Sequence, residues 1–212
     1  MKNNVVLKIL GIIVVVAVLF WGVTSVITEL GNKSNMKKVE NIEQVKIENQ
    51  LVPYEDENGY WTFTTDKDFK VVQFSDIHIG AGWMCHGKDL KALNAVAAMV
   101  TEEKPDLVIV TGDIAYPIPP QAGTSDNLTE AKLFATLMEK LGVYWTVTFG
   151  NHDTEAYSKY DRAQIADFYE KSGFKYCLFK SGPADIDGYG NNVINIKNSK
   201  GEITQSIFTF DS

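Results

Sequence analysis

Between residues 70 and 149 the chain alternates two patterns that no single conformation can satisfy. Residues 70–74, 107–110 and 144–149 are short runs rich in Val, Ile, Phe, Tyr and Trp, the composition of strands buried on both faces. Residues 88–103 and 130–141, lying between them, carry apolar side chains at helical spacing. In the first of these Leu90, Leu93, Val96, Ala97 and Val100 fall on one face. Strand, helix, strand, helix, strand predicts an α/β fold with a parallel βαβ core covered on both faces. Farther on, a helix is expected over 161–171 and strands over 176–180, 192–196 and 203–210. Asn198, Ser199, Lys200 and Gly201 form the hairpin turn between the last two.

The amino-terminal part obeys different rules. Residues 9–28 hold no charge and are mostly Ile, Val and Leu, flanked by Lys8 and Glu29. Some twenty residues at about 1.5 Å each match a hydrocarbon core of about 30 Å. The run reads as a membrane anchor with the body on the extracytoplasmic side. A cleaved signal peptide is the alternative, with Lys2 and Lys8 as its basic region and Val23, Thr24 and Ser25 as a small-residue cleavage site; the body would then be secreted. Residues 30–58 are polar, with Pro53 as punctuation and Gly59 just beyond, and read as a stalk. The expected organisation is therefore anchor or signal over 1–29, stalk over 30–58 and a catalytic-type domain over 59–212.

Composition excludes several classes of function. With 20 Lys and Arg against 27 Asp and Glu, the net charge of -7 opposes binding to nucleic acid through a broad basic surface. Cys85 and Cys177, the two cysteines, cannot make a disulfide framework and lack the spacing of a zinc knuckle. In an exported protein they would be able to pair; spacing alone does not decide it.

The chemistry-bearing residues sit where the three strands should stop: Asp76 and His78 after the first, Gly112 and Asp113 after the second, Gly150, Asn151, His152 and Asp153 after the third. In an open α/β sheet the carboxyl ends of the strands share one edge, where ligands collect. Three segments nearly forty residues apart should therefore converge there. Oxygen and imidazole donors without thiolate suit Zn, Mn or Fe in a reactive site better than a structural zinc.

In this order, Asp76-x-His78, Gly112-Asp113 and Gly150-Asn151-His152-Asp153 resemble the first three motifs of the calcineurin-like metallophosphoesterase superfamily, in the branch related to purple acid phosphatases. The resemblance implies a layered sandwich and a hydrolase acting on phosphate esters. It also implies two divalent or mixed-valence metal ions, with Asp76 and His78 holding the first, Asp113 bridging and Asn151 holding the second. His152 would serve the leaving group and Asp153 would fix the imidazole's tautomer. Tyr116 stands at the spacing of a purple acid phosphatase tyrosinate and reads here as a packing or substrate-lining ring, because His78 fills a first-metal position. His86 reads as a loop or helix-start residue. The family pattern also calls for downstream histidines, whereas the chain holds three in all. The expected domain is therefore an incomplete one, and the alternative function is a membrane-tethered, catalytically degenerate domain that binds metal or a partner.

Overall fold

The computed structural model describes residues 2–211. In chain order the elements are α1 (Lys2–Glu40), β1 (Tyr54–Glu55), β2 (Trp61–Thr64), β3 (Val71–Phe74), α2 (His86–Glu103), β4 (Leu107–Thr111), α3 (Pro119–Ala122), α4 (Asn127–Leu141), β5 (Trp145–Thr148), α5 (Arg162–Lys171), β6 (Asn192–Lys197) and β7 (Ile203–Thr209). The three apolar runs form one parallel sheet in the order β3-β4-β5. Phe74 pairs with Val110, and Thr111 with Thr148. Strands joined through α2 and α4 end at the same edge, as the alternation predicted.

Burial follows from the sequence pattern. Leu93, Val96 and Val100 of α2 and Leu133, Leu137, Met138 and Leu141 of α4 are buried with Val108 and Val110 of β4 and Trp145 and Val147 of β5. Trp145, fully buried, meets Phe134 and Tyr169 edge-on at 5.7 and 5.8 Å. The helices end where left-handed backbone is cheap: Gly142, at φ 70°, closes α4. At the other end of α5, Asp161 and Gln164 form a reciprocal capping box.

A second sheet runs β1-β2-β6-β7, with β2 and β6 parallel and the outer pairs antiparallel. Phe63 of β2 reaches Tyr144 at 5.8 Å, joining the two sheets through aromatic contact. The turn over Asn198–Gly201 lies where expected, with the Asn198 N–H donating to Glu202 O at 3.0 Å. The run 176–180 is not a full strand. Cys177 makes a single bridge to Trp145 before the chain turns away at Gly182, φ 98°.

Two expectations about the amino-terminal third need correction. Helix α1 does not stop at the end of the apolar run but continues to Glu40. The segment read as a polar stalk is also laid against the body. Val39 and Val45 are core residues, and Met36, Ile42, Ile47 and Leu51 pack on that core. The cause is physical: apolar residues recur every two to four positions among the lysines and glutamates, giving the segment one face to bury. The β1–β2 hairpin, turning through Asp56 and Gly59, straddles the expected boundary at residue 58.

Candidate metal centre

Three strand ends meet through their backbones before any side chain is considered. The N–H of Asp76 donates to Gly112 O at 3.3 Å, that of His78 to Asp113 O at 3.0 Å, and that of Ile79 to Ile114 O at 2.8 Å. Gly112 and Gly150 touch so closely that a Cβ on Gly112 would lie 2.5 Å from Gly150 N. Glycine at these two positions lets β4 and β5 deliver their loops to one point. Asp76, His78 and Asp113 all adopt left-handed backbone, at φ 55°, 53° and 55°. Non-glycine residues take that conformation only at a cost, and such costs concentrate at functional sites.

Asp153 holds the arrangement in place. Its buried carboxylate accepts from Asp113 N at 2.9 Å, Ala115 N at 2.9 Å and Gly150 N at 2.8 Å. Burial pushes this carboxyl up from the usual range, and the three N–H groups pull it back. The expectation that Asp153 fixes the His152 tautomer is corrected by this geometry, since its oxygens face backbone donors. His152 instead pairs through Nδ1 with the Glu155 carboxylate. Consecutive side chains on this bend diverge, and the residue three positions on is the one that returns to the imidazole.

The donors converge as the strand-end reading requires. One ligand atom each from His78, Asp113 and His152 lie within 4.8 Å of one another. His78 Nε2 is 3.7 Å from Asp113 Oδ2 and 3.7 Å from Asp76 Oδ1. Asp76 is exposed and receives the Ser75 hydroxyl. Asn151 is exposed on the bend between Gly150 and His152. Asp113 Oδ1 already accepts the His152 N–H at 2.8 Å, leaving Oδ2 facing His78. Imidazole and carboxylate at this spacing fit a divalent transition-metal ion.

Tyr116 belongs to the site as a ring. It stacks on His78 at 4.7 Å and 24° and meets His152 edge-on at 4.6 Å and 82°, so both imidazoles are oriented by one aromatic surface. His86 does not belong to it: its ring lies against Gly31 of α1. Cys85 and Cys177 are both free thiols. Sequence reasoning missed Glu155 and also Glu130, a fully buried residue of α4. Neither Glu130 oxygen makes a well-formed hydrogen bond. Burial, with Asp89, Asp153 and Asp126 nearby, pushes its carboxyl well above the ordinary carboxylate range. A cavity of about 400 Å³ lined by Tyr60, Lys180, Ile186, Phe208 and Phe210 lies at the second sheet and includes none of the metal-centre residues.

The chain is 30% identical over 151 residues to "Probable inactive purple acid phosphatase 14" of Arabidopsis thaliana, covering 64% of this chain and 36% of that protein. It is 25% identical over 171 residues to "Probable inactive purple acid phosphatase 28" of the same plant, covering 70% and 41%. To "Phosphatase DCR2" of Saccharomyces cerevisiae it is 29% identical over 149 residues, covering 63% and 24%. The chain thus spans 24% to 41% of the length of these curated relatives. No solved structure matches it. The family model for the calcineurin-like phosphoesterase matches residues 69–212. That match takes in all three strand-end motifs and more than half of the sequence: the chain belongs to the calcineurin-like phosphoesterase family.

Proposed function

We propose that the chain carries a metal-dependent phosphoester hydrolase site, with Asp76, His78, Asp113 and Asn151 as the ligand set for two divalent or mixed-valence ions of Fe, Zn or Mn. The observation that carries this reading is the convergence of His78, Asp113 and His152 within 4.8 Å at one sheet edge. When bound, such a pair of ions supplies hydroxide near neutral pH and absorbs charge on the attacking and leaving oxygens of an in-line displacement. Asp113, whose Oδ1 is tied to the His152 N–H, would hold the ions through its remaining carboxylate oxygen. His152 stands beside that carboxylate and holds a proton for the leaving alkoxide, with Glu155 at Nδ1 directing the other ring nitrogen toward the substrate. Asp153 acts only as a positioning residue. Residues 9–28 supply a membrane anchor and the body is extracytoplasmic, or secreted where the segment is cleaved.

Two observations favour a second reading. Two of the relatives carry "inactive" in their names, and one of the three histidines, His86, is spent on packing against α1. A domain that keeps the fold and binds metal or a partner without turnover would show the same loops. Metal stoichiometry and hydrolysis of an aryl phosphate decide between the two. Bound metal with chelator-sensitive turnover supports the hydrolase; bound metal without turnover in any of Fe, Zn or Mn supports the binding domain.

A further inference from the structure

Helix α1 makes no break between its apolar part and the part that packs on the body. Its side chains from Val5 to Val23 are exposed and almost wholly apolar. The body then takes hold of one face at regular helical intervals. Phe20 meets the Trp83 ring edge-on at 5.9 Å. Thr28 Oγ1 accepts the Trp83 N–H at 3.0 Å. Asn32 donates to Ala81 O at 2.7 Å and Asn35 to His86 O at 2.9 Å, and Val39 is buried. Gly31, between them, leaves room for the His86 ring.

These contacts begin inside the uncharged run, not after it. A hydrocarbon core of about 30 Å needs about twenty helical residues. If the core were to extend as far as Thr28, the Trp83 backbone and the loop from Gly123 to Asp126, which faces Trp21 to Thr28 across a cavity, would be submerged, and their polar groups forbid that. Counted back from Trp21 instead, the same twenty residues reach Lys2. Lys8 then lies about 9 Å inside that end, within reach of the surface for a long basic side chain. Phe20, Trp21 and Trp83 fall together at the other boundary, where amphipathic rings are at home. Trp21 and Met84 are exposed there and Trp83 is half-buried. Above them, a cavity of about 480 Å³ between α1 and the loop leading to α4 is lined by hydroxyl and charged groups, among them Thr28, Lys33, Ser125 and Asp126.

We propose that the body has no spacer from the bilayer and is seated directly on its surface, with Trp21, Trp83 and Met84 at the headgroup boundary and the bilayer itself as the binding partner of this face. The inference rests on the reading of α1 as a membrane anchor, moves its hydrocarbon-spanning part from residues 9–28 to residues 2–21, and adds which face of the body meets lipid. The five residue-to-residue steps from His78 to Trp83 span at most about 18 Å, so the metal loop is within that distance of the interface.

The test uses the full chain reconstituted in phosphatidylcholine vesicles with and without brominated acyl chains. Trp21→Phe with Trp61→Phe leaves Trp83 and the fully buried Trp145; Trp21→Phe with Trp83→Phe leaves Trp61 in place of Trp83 and serves as the control. Loss of most of the Trp83 emission to bromolipid, with Trp61 quenched only by aqueous iodide, supports the seating. Iodide quenching of Trp83 equal to that of Trp61, with no bromolipid effect in a chain that resists carbonate extraction, overturns it while the anchor stands. Release by carbonate overturns both. A nitroxide headgroup lipid read against the same Trp83 gives a second measure that needs no change at residue 83.

Discussion

Asp153 Oδ2 accepts the backbone N–H of Asp113 at 2.9 Å and that of Gly150 at 2.8 Å. One oxygen atom thereby clamps the ends of β4 and β5, and the other oxygen takes Ala115 N at 2.9 Å. Asp153→Asn keeps one good acceptor and turns an amide toward at least one donor. The expected cost is about 1–3 kcal/mol in stability, together with weaker metal binding, measured by urea unfolding and by titration with Zn or Mn. An Asn variant that unfolds and binds metal like the parent would show that the clamp is dispensable.

At Asp113 the two oxygens have separate duties, and a matched pair of variants separates them. Asp113→Asn retains an acceptor for the His152 N–H but loses the charge shared between ions, whereas Asp113→Ala loses both. Each should reduce aryl phosphate hydrolysis by several orders of magnitude, and only the Ala variant should also loosen the loop. Turnover that survives either change, or survives a chelator, would sink the two-ion reading.

The His152 and Glu155 pair predicts a graded series. His152→Ala should lower turnover by about 10² to 10⁴ with metal still bound. Glu155→Gln, which keeps a hydrogen-bonding partner but not the charge, should lower it by about 10- to 100-fold. Loss of metal on replacing His152 would place the imidazole among the ligands, as its proximity to His78 and Asp113 allows.

Glu130 yields a prediction about pH. Its folded carboxyl is pushed well above the ordinary value of 4.5 by burial and by the carboxylates of Asp89, Asp153 and Asp126. The folded chain therefore keeps a proton that the unfolded chain releases above about pH 4.5. Stability from this group is fully present below that value and is lost as pH rises toward the folded value, at up to about 1.4 kcal/mol per pH unit. Glu130→Gln should flatten the dependence across that window in denaturant unfolding at stepped pH. An identical slope in the two proteins would mean that Glu130 ionises freely when folded.

Much of the fold was legible because its signals are local. The period of Leu90, Leu93, Val96 and Val100 gives α2, and the unbroken apolar run at 107–110 gives β4. The meeting of the strand ends followed from topology, since parallel strands end on one edge and bring His78, Asp113 and His152 together whatever lies between. Residues 30–58 resisted reading because Met36, Val39, Val45 and Leu51 form a face only when α1 and the extended segment after it lie on α4. A spacing that mixes helix with coil has no single period. Glu155 escaped for a related reason: adjacency in sequence favoured Asp153 as the partner of His152, and the sharp bend after Gly150 sends neighbouring side chains to opposite sides.

The Asp153 clamp also separates two fates that many small metalloproteins share. Where an ion gathers its own ligands, removing it unfolds the chain; here the three loops are fastened to one another by backbone bonds that involve no ion. Demetallated protein should keep its cooperative unfolding transition. A lineage built on this scaffold is then free to shed ligands one at a time without losing the domain, so catalysis and architecture can decay on different clocks.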